Sequence, residues 1–187
     1  MEFQSCHNTL IEIEQLGFQV TWKFINIGLH GNEKIPVQIS YDELFEYLDN
    51  LLERSIEEID DIISIWCERD NIVEVDKLLD SLSEQEVQDT FFESRKWRAY
   101  QLKKILDNVK QDCLQGLLEM MEFWLPMKNE KECPHVFPQS GNDALSVEQY
   151  FTQKMYEFLI QKNRNWLDKE ISTIVERESK KRGGGKS

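Results

Sequence analysis

Apolar residues recur at three- and four-residue steps through most of the chain, a period that predicts amphipathic helices. Leu10, Ile11, Ile13 and Leu16 form the first stripe; Asn8 or Thr9 can cap it, and Gly17 suits the left-handed residue that ends it. Thr21 can cap a second segment carrying Trp22, Ile25 and Leu29, where Gly28, Gly31 and the β-branched residues favour a short helix followed by a loop. The exception to the helical period is IPVQI at 35–39. Pro36 excludes a helix interior there, and Val37 and Ile39 alternate with Gln38, so at most one short β segment is expected.

From Ser40 the helical period returns. Ser40 and Glu43 have the spacing of a capping box, in which hydroxyl and carboxylate each satisfy an amide donor that the first helical turn leaves open. Leu44, Phe45, Leu48, Leu51, Leu52, Ile56, Ile59, Ile62, Ile63 and Trp66 follow at helical steps. Asp70 and Asn71 restart the pattern for Val75, Leu78, Leu79 and Leu82, and Ser83 with Glu86 predicts another capping box ahead of Val87, Phe91 and Phe92. After Ser94 come two strong stripes, one through Leu102, Ile105, Leu106 and Val109 with Trp97 in its first turn. The other runs through Leu114, Leu117, Leu118, Met121, Trp124 and Leu125 until Pro126 stops it, and the two are expected to pack as a hairpin.

The segment 127–145, with Pro134, Pro138, Gly141 and Asn142, is longer than a connector requires, and loops of that length are commonly functional. Ser146 and Gln149 then predict a cap for a helix through Val147, Phe151, Met155, Phe158 and Leu159; a further helix carries Trp166, Leu167, Ile171, Ile174 and Val175. The basic, glycine-rich SKKRGGGKS at 179–187 is expected to be disordered. The expected fold is therefore all-α: a single-domain multi-helix bundle, or stacked helical hairpins, over 1–178.

Composition agrees with helices: 40% of the 187 residues are hydrophobic, and 8 Gly and 4 Pro leave few breakers. Charge changes the picture more. The 22 Lys and Arg against 35 Asp and Glu give −13, but residues 41–93 hold 18 acidic and 3 basic residues, whereas 94–187 is net positive by 4. An anionic middle segment repels nucleic acid and anionic lipid and attracts a basic protein. The chain is therefore expected to bind neither nucleic acid nor membrane. Cys6, Cys67, Cys113 and Cys133 form no CxxC pair, and the start MEFQSCHNTL has neither a cationic run nor an apolar one, so reduced thiols and a cytoplasmic location are expected.

Few residues carry chemistry of their own. Cys133 and His135, even with Cys6 and His7, lack the spacing of a zinc module, and no cysteine has a local histidine signature for nucleophilic catalysis. The terminal GGGKS fails as a phosphate loop because Lys180 stands where its first glycine belongs. No metal and no cofactor are expected. His135, Gln139 and Asn142 remain as a candidate site in the long loop.

Several stretches together carry a resemblance: TWKFINIG at 21–28, KW followed by LKKIL within 96–106, GLLEMMEFW at 116–124, CPHVFPQSGN at 133–142, and the QYFTQ and WLDKE stretches near Tyr150 and Trp166. In these the chain resembles an uncharacterised bacterial family catalogued as a domain of unknown function, typically small stand-alone proteins. The resemblance implies no activity. By analogy with small acidic bacterial proteins that cover a toxin's active surface, the charge distribution leads to an expected function: an acidic protein-binding module, specifically an immunity protein that occludes a cationic toxin such as a nuclease domain. Glu57, Glu58, Asp60, Asp61, Asp70 and Glu74 are the expected partner-binding residues. The alternatives are an enzyme with its site in the 133–142 loop, or a helical scaffold or regulatory protein.

Overall fold

The computed structural model describes residues 8–54, 59–138 and 145–183, with side chains as far as Lys180. Its helices are α1 (Thr9–Gln15), α2 (Trp22–His30), α3 (Tyr41–Glu53), α4 (Ile59–Cys67), α5 (Ile72–Gln85), α6 (Thr90–Asp107), α7 (Cys113–Trp124), α8 (Val147–Tyr150) and α9 (Gln153–Gly183). Among the described residues there is no strand, so the fold is all-α. Two compact units are present: Met1–Trp97 with Glu178–Ser187, and Arg98–Arg177. Helices α6 and α9 each contribute to both.

In the first unit the caps act as the sequence predicts. Asn8 Oδ1 accepts from the Leu10 and Ile11 amides at 3.0 and 3.3 Å, and Gly17, at φ 84°, ends α1 in the left-handed region. Thr21 Oγ1 accepts from the Phe24 amide at 3.1 Å, and the Ser40–Glu43 capping box starts α3. Glu43 also accepts from Thr9 Oγ1 at 2.8 Å, which ties α3 to α1. Helix α1 packs on α3, α3 on α4, α4 on α5, and α5 on α2.

The extended 35–39 segment pairs with no strand. The amides of Gln38 and Ile39 donate instead to the Gly28 carbonyl, at 2.7 and 3.2 Å, lashing the segment to α2. Gly28 also admits the fully buried Trp97, whose ring stands 2.4 Å from where a Cβ would sit. Trp97 stacks on Phe24 at 4.1 Å and donates from Nε1 to the Phe24 carbonyl at 2.8 Å.

Three expectations need correction. Ser83 starts no helix: it lies buried inside α5, because the stripe of Val75 and Leu79 continues through it. Glu86 reaches instead to the start of α2, where its two oxygens accept from the Trp22 and Lys23 amides at 2.7 and 2.8 Å. Asp89 caps α6 through the Phe92 amide at 2.6 Å, so α6 begins at Thr90 and passes through Ser94 without a break.

In the second unit Asp112 caps α7, and Pro126 falls in a 3-10 turn (Leu125–Met127) that ends it. The Ser146–Gln149 capping box forms, but it starts a single turn, α8, which Phe151 interrupts at ψ 60°. The two helices expected beyond it are one, α9, which runs on through 179–183. No Gly or Pro separates Leu159 from Trp166, and Asn163 is held inside the helix, donating to the Leu159 carbonyl at 2.8 Å and accepting from Trp124 Nε1 at 2.6 Å. Trp124 meets Trp166 edge-on at 5.1 Å, closing α7 against α9.

Candidate functional site

Of the six carboxylates expected to bind a partner, Glu57 and Glu58 lie outside the described residues. Asp60 and Asp70 are exposed, and Asp61 and Glu74 half-buried. Asp60 and Asp61 occupy the first turn of α4, where open amide donors favour negative charge. Glu74 is ion-paired with Lys77 at 2.8 Å, but Asp60, Asp61 and Asp70 have no side-chain partner among the described residues. The same stretch leaves aliphatic side chains in water: α4 buries Ile62 and Ile65 but exposes Ile59 and Ile63, and the start of α5 exposes Ile72 and Val73, the last by 65%.

Other carboxylates of the acidic segment are held in hydrogen bonds at the surface or cap helices. Asp49 accepts from Trp66 Nε1 at 2.6 Å and Asp80 from Asn26 Nδ2 at 2.8 Å. Asp76 accepts from the Tyr41 hydroxyl at 2.5 Å; burial, reinforced by this carboxylate, pushes Tyr41 up to about 12. Some of the acidic charge of 41–93 is thus held by partners within the fold, while Asp42, Glu46, Asp49, Glu53, Asp80, Glu84 and Asp89 are exposed as Asp60 and Asp70 are.

A buried ionic cluster went unrecognised in the sequence. In the first unit the Lys96 ammonium, fully enclosed, lies 2.5 Å from Glu93 and 3.0 Å from Glu178, and donates to the Gln19 carbonyl at 2.7 Å. Glu178 in turn accepts from the Gln19 amide at 2.8 Å. Burial raises the Glu93 carboxyl above its ordinary value although Lys96 opposes the shift. The available signal was the i,i+3 pair Glu93 and Lys96 on a run with Phe92 and Trp97; its second carboxylate, 82 residues away, left none.

The second unit has a counterpart. Buried Arg98 pairs with Glu130 at 2.6 Å and with Glu170 at 3.6 Å, and its guanidinium stands 5.2 Å from the Trp166 ring centre. This cluster too was unrecognised, its partners being distant in sequence.

In the loop, Gln139 and Asn142 lie outside the described residues, whereas His135 is buried. Its Nε2 is 2.7 Å from the Tyr150 hydroxyl, while Nδ1 is shielded from solvent with no hydrogen-bond partner among the described residues. Burial, with the nearby Lys162 charge, lowers His135 to about 4, so the imidazole is neutral at neutral pH. Burial likewise pushes Tyr150 up to about 12 and raises the Cys133 thiol. The Cys133 sulfur contacts the His135 carbonyl, at 4.0 Å, and its raised value keeps it a thiol. The pair can hold or relay a hydrogen bond, but the thiol is not activated.

Cys67, Cys113 and Cys133 are free, and Cys6 lies outside the described residues. Among the described residues no three His, Cys, Asp or Glu converge to hold a metal ion, and no helix is long and apolar enough to cross a membrane. No curated protein and no solved structure matches the chain. Residues 11–171 match the family model described as an uncharacterized protein conserved in bacteria (DUF2247), and the chain belongs to that family.

Proposed function

We propose that this protein is a binding module for a cationic protein, engaged through α4 and the first turn of α5. One observation carries the reading: Asp60, Asp61 and Asp70, without side-chain partners among the described residues, stand among exposed Ile59, Ile63, Ile72 and Val73. Carboxylates steer a basic partner and set its orientation, and the aliphatic side chains supply the apolar contact that holds it. Within this reading the narrower function is that of an immunity protein occluding a basic toxin domain such as a nuclease, acting inside the cytoplasm.

The test uses the tagged full chain to capture its stoichiometric basic partner from the native bacterium, followed by association kinetics with the purified pair. Asp60→Asn, Asp61→Asn and Asp70→Asn together keep the side-chain shape and remove the charge. The association rate at low salt is expected to fall by about tenfold or more. An unchanged rate contradicts the reading. If the partner is a toxin, co-expression of the protein restores growth.

One observation favours a second reading, an enzyme with its site at the loop: the buried His135 keeps one nitrogen unpartnered beside a hydrogen-bonded Tyr150. A His135→Phe variant that still binds and protects as the native chain does removes that reading.

A further inference from the structure

The ionic cluster of the first unit holds more negative charge than it balances. Two carboxylates, Glu93 and Glu178, share one ammonium, Lys96, and each of the three side chains is exposed by 3% or less. With both carboxylates ionised the interior carries one uncompensated negative charge; with one proton bound the cluster is neutral. The charges that act on Glu93 are Lys96, on its own helix, and Glu178, from α9. The segment between α1 and α2 brings uncharged groups, the Gln19 backbone and the Thr21 side chain, while Phe24 and Phe92 present their rings to the ammonium at 5.0 and 5.7 Å. The two carboxylates are unequally supplied with donors. Glu178 receives the Lys96 ammonium on Oε1 at 3.0 Å and the Gln19 amide on Oε2 at 2.8 Å. Glu93 meets the ammonium through Oε2, yet neither of its oxygens has a hydrogen-bond partner among the described residues. A single bound proton therefore belongs on Glu93, and burial, which raises that carboxyl above its ordinary value, acts in the same direction.

The two also differ in what can move. Glu93 and Lys96 lie on one helix, held by the buried Phe92 and Trp97 beside them. Glu178 stands where α9 enters the first unit, and it is buried among the exposed Glu176, Arg177, Ser179 and Lys180. We propose that the cluster is a proton-dependent latch on the end of α9: it holds Glu178 in the first unit while Glu93 carries a proton, and it lets that end go when the proton is lost at higher pH. Opening admits water to Glu93, which restores the hydration that an ionised carboxylate requires. Linkage fixes the sign. Glu93's contribution to closure is fully present below its ordinary 4.5 and is lost as pH rises through the raised value, by up to about tenfold in the closed-to-open ratio per pH unit for one proton. The latch uses none of the residues assigned to the partner site on α4 and α5.

The test is native-state hydrogen exchange on the full chain across a pH series, with rates corrected for the intrinsic pH dependence of exchange. Protection of the amides of 178–183 is expected to fall by about tenfold or more as pH rises, while the amides of α3, in the same unit, keep theirs. Glu93→Gln keeps the side-chain shape and makes the cluster neutral at every pH at which Lys96 and Glu178 are ionised. Its α9 end is expected to stay protected at high pH, by about tenfold or more over the native chain, with no decline. A carbon-13 titration of the Glu93 carboxyl in the native chain needs no variant, and it is expected to fall in the same pH range as the loss of protection. Protection of 178–183 that is independent of pH in the native chain overturns the proposal, as does an identical decline in Glu93→Gln or a Glu93 titration outside the range of the loss. Loss of α3 protection in step with the α9 end also overturns it, since the event is then unfolding of the unit rather than release of a latch.

Discussion

Two sets of carboxylates in the first unit meet opposite surroundings. Glu93 and Glu178 lie in the interior around one ammonium, sharing Lys96 with the Gln19 backbone. Asp60, Asp61 and Asp70 lie in or near water with no side-chain partner among the described residues. The interior set fixes chain geometry, joining the residue that opens the first unit's part of α9 to α6 and to the segment between α1 and α2. The outer set stabilises little and is free to meet another molecule. Net charge alone therefore misjudges the surface, because part of the excess negative charge is bound into the fold.

The largest effect is expected from breaking the interior set. Lys96→Met leaves two enclosed carboxylates facing each other and is expected to cost about 3–5 kcal/mol in urea unfolding. Glu93→Gln leaves Lys96 paired with Glu178 and is expected to change stability by less than about 1.5 kcal/mol, the scale of one hydrogen bond. The pH dependence sharpens the contrast. Because folding raises the Glu93 value, its contribution is fully present below its ordinary 4.5 and is lost as pH rises through the raised value; Glu93→Gln removes that decline.

The second unit provides a case of opposite sign. His135 falls from its ordinary 6.5 to about 4 on folding, so the unfolded chain binds the proton first and stability is lost as pH falls across that window. The loss approaches about 3 kcal/mol by its lower end. Stability measured against pH for His135→Phe is expected to lack this slope, whatever its effect at neutral pH.

A smaller effect is expected at Glu86, which caps α2 from 64 residues away through the Trp22 and Lys23 amides. Glu86→Ala is expected to cost about 1–2 kcal/mol in thermal or urea unfolding, the range of a lost N-cap. Smallest of all, the asparagine variants at Asp60, Asp61 and Asp70 are expected to alter stability by about 0.5 kcal/mol or less, as exposed substitutions do, while weakening association.

Local chemistry was legible in the sequence and distant pairing was not. Asn8, Thr21, Ser40 and Ser146 cap helices because a cap needs only its own next turn. Ser83 and Glu86 have the same spacing as a capping box, yet α2 draws Glu86 away, a tertiary demand that spacing does not encode. Helix α9 is longer than expected because a polar run such as Gln161–Asn165 interrupts an apolar stripe without interrupting a helix, and buried Trp124 supplies Asn163 with a partner. At the candidate sites, the exposed character of Asp60 and Asp70 followed from their place on the polar side of a stripe. The burial of His135 did not, since its partner Tyr150 stands 15 residues on.

The central claim, that the outer carboxylates serve recognition while the inner ones serve the fold, is tested most directly by one kinetic measurement. The association rate of the captured basic partner is recorded at low and high salt for the native chain and for the triple asparagine variant at Asp60, Asp61 and Asp70. The account predicts a native rate that drops steeply with salt and a variant rate already low and nearly independent of it. Identical rates and identical salt dependence in the two proteins would contradict it.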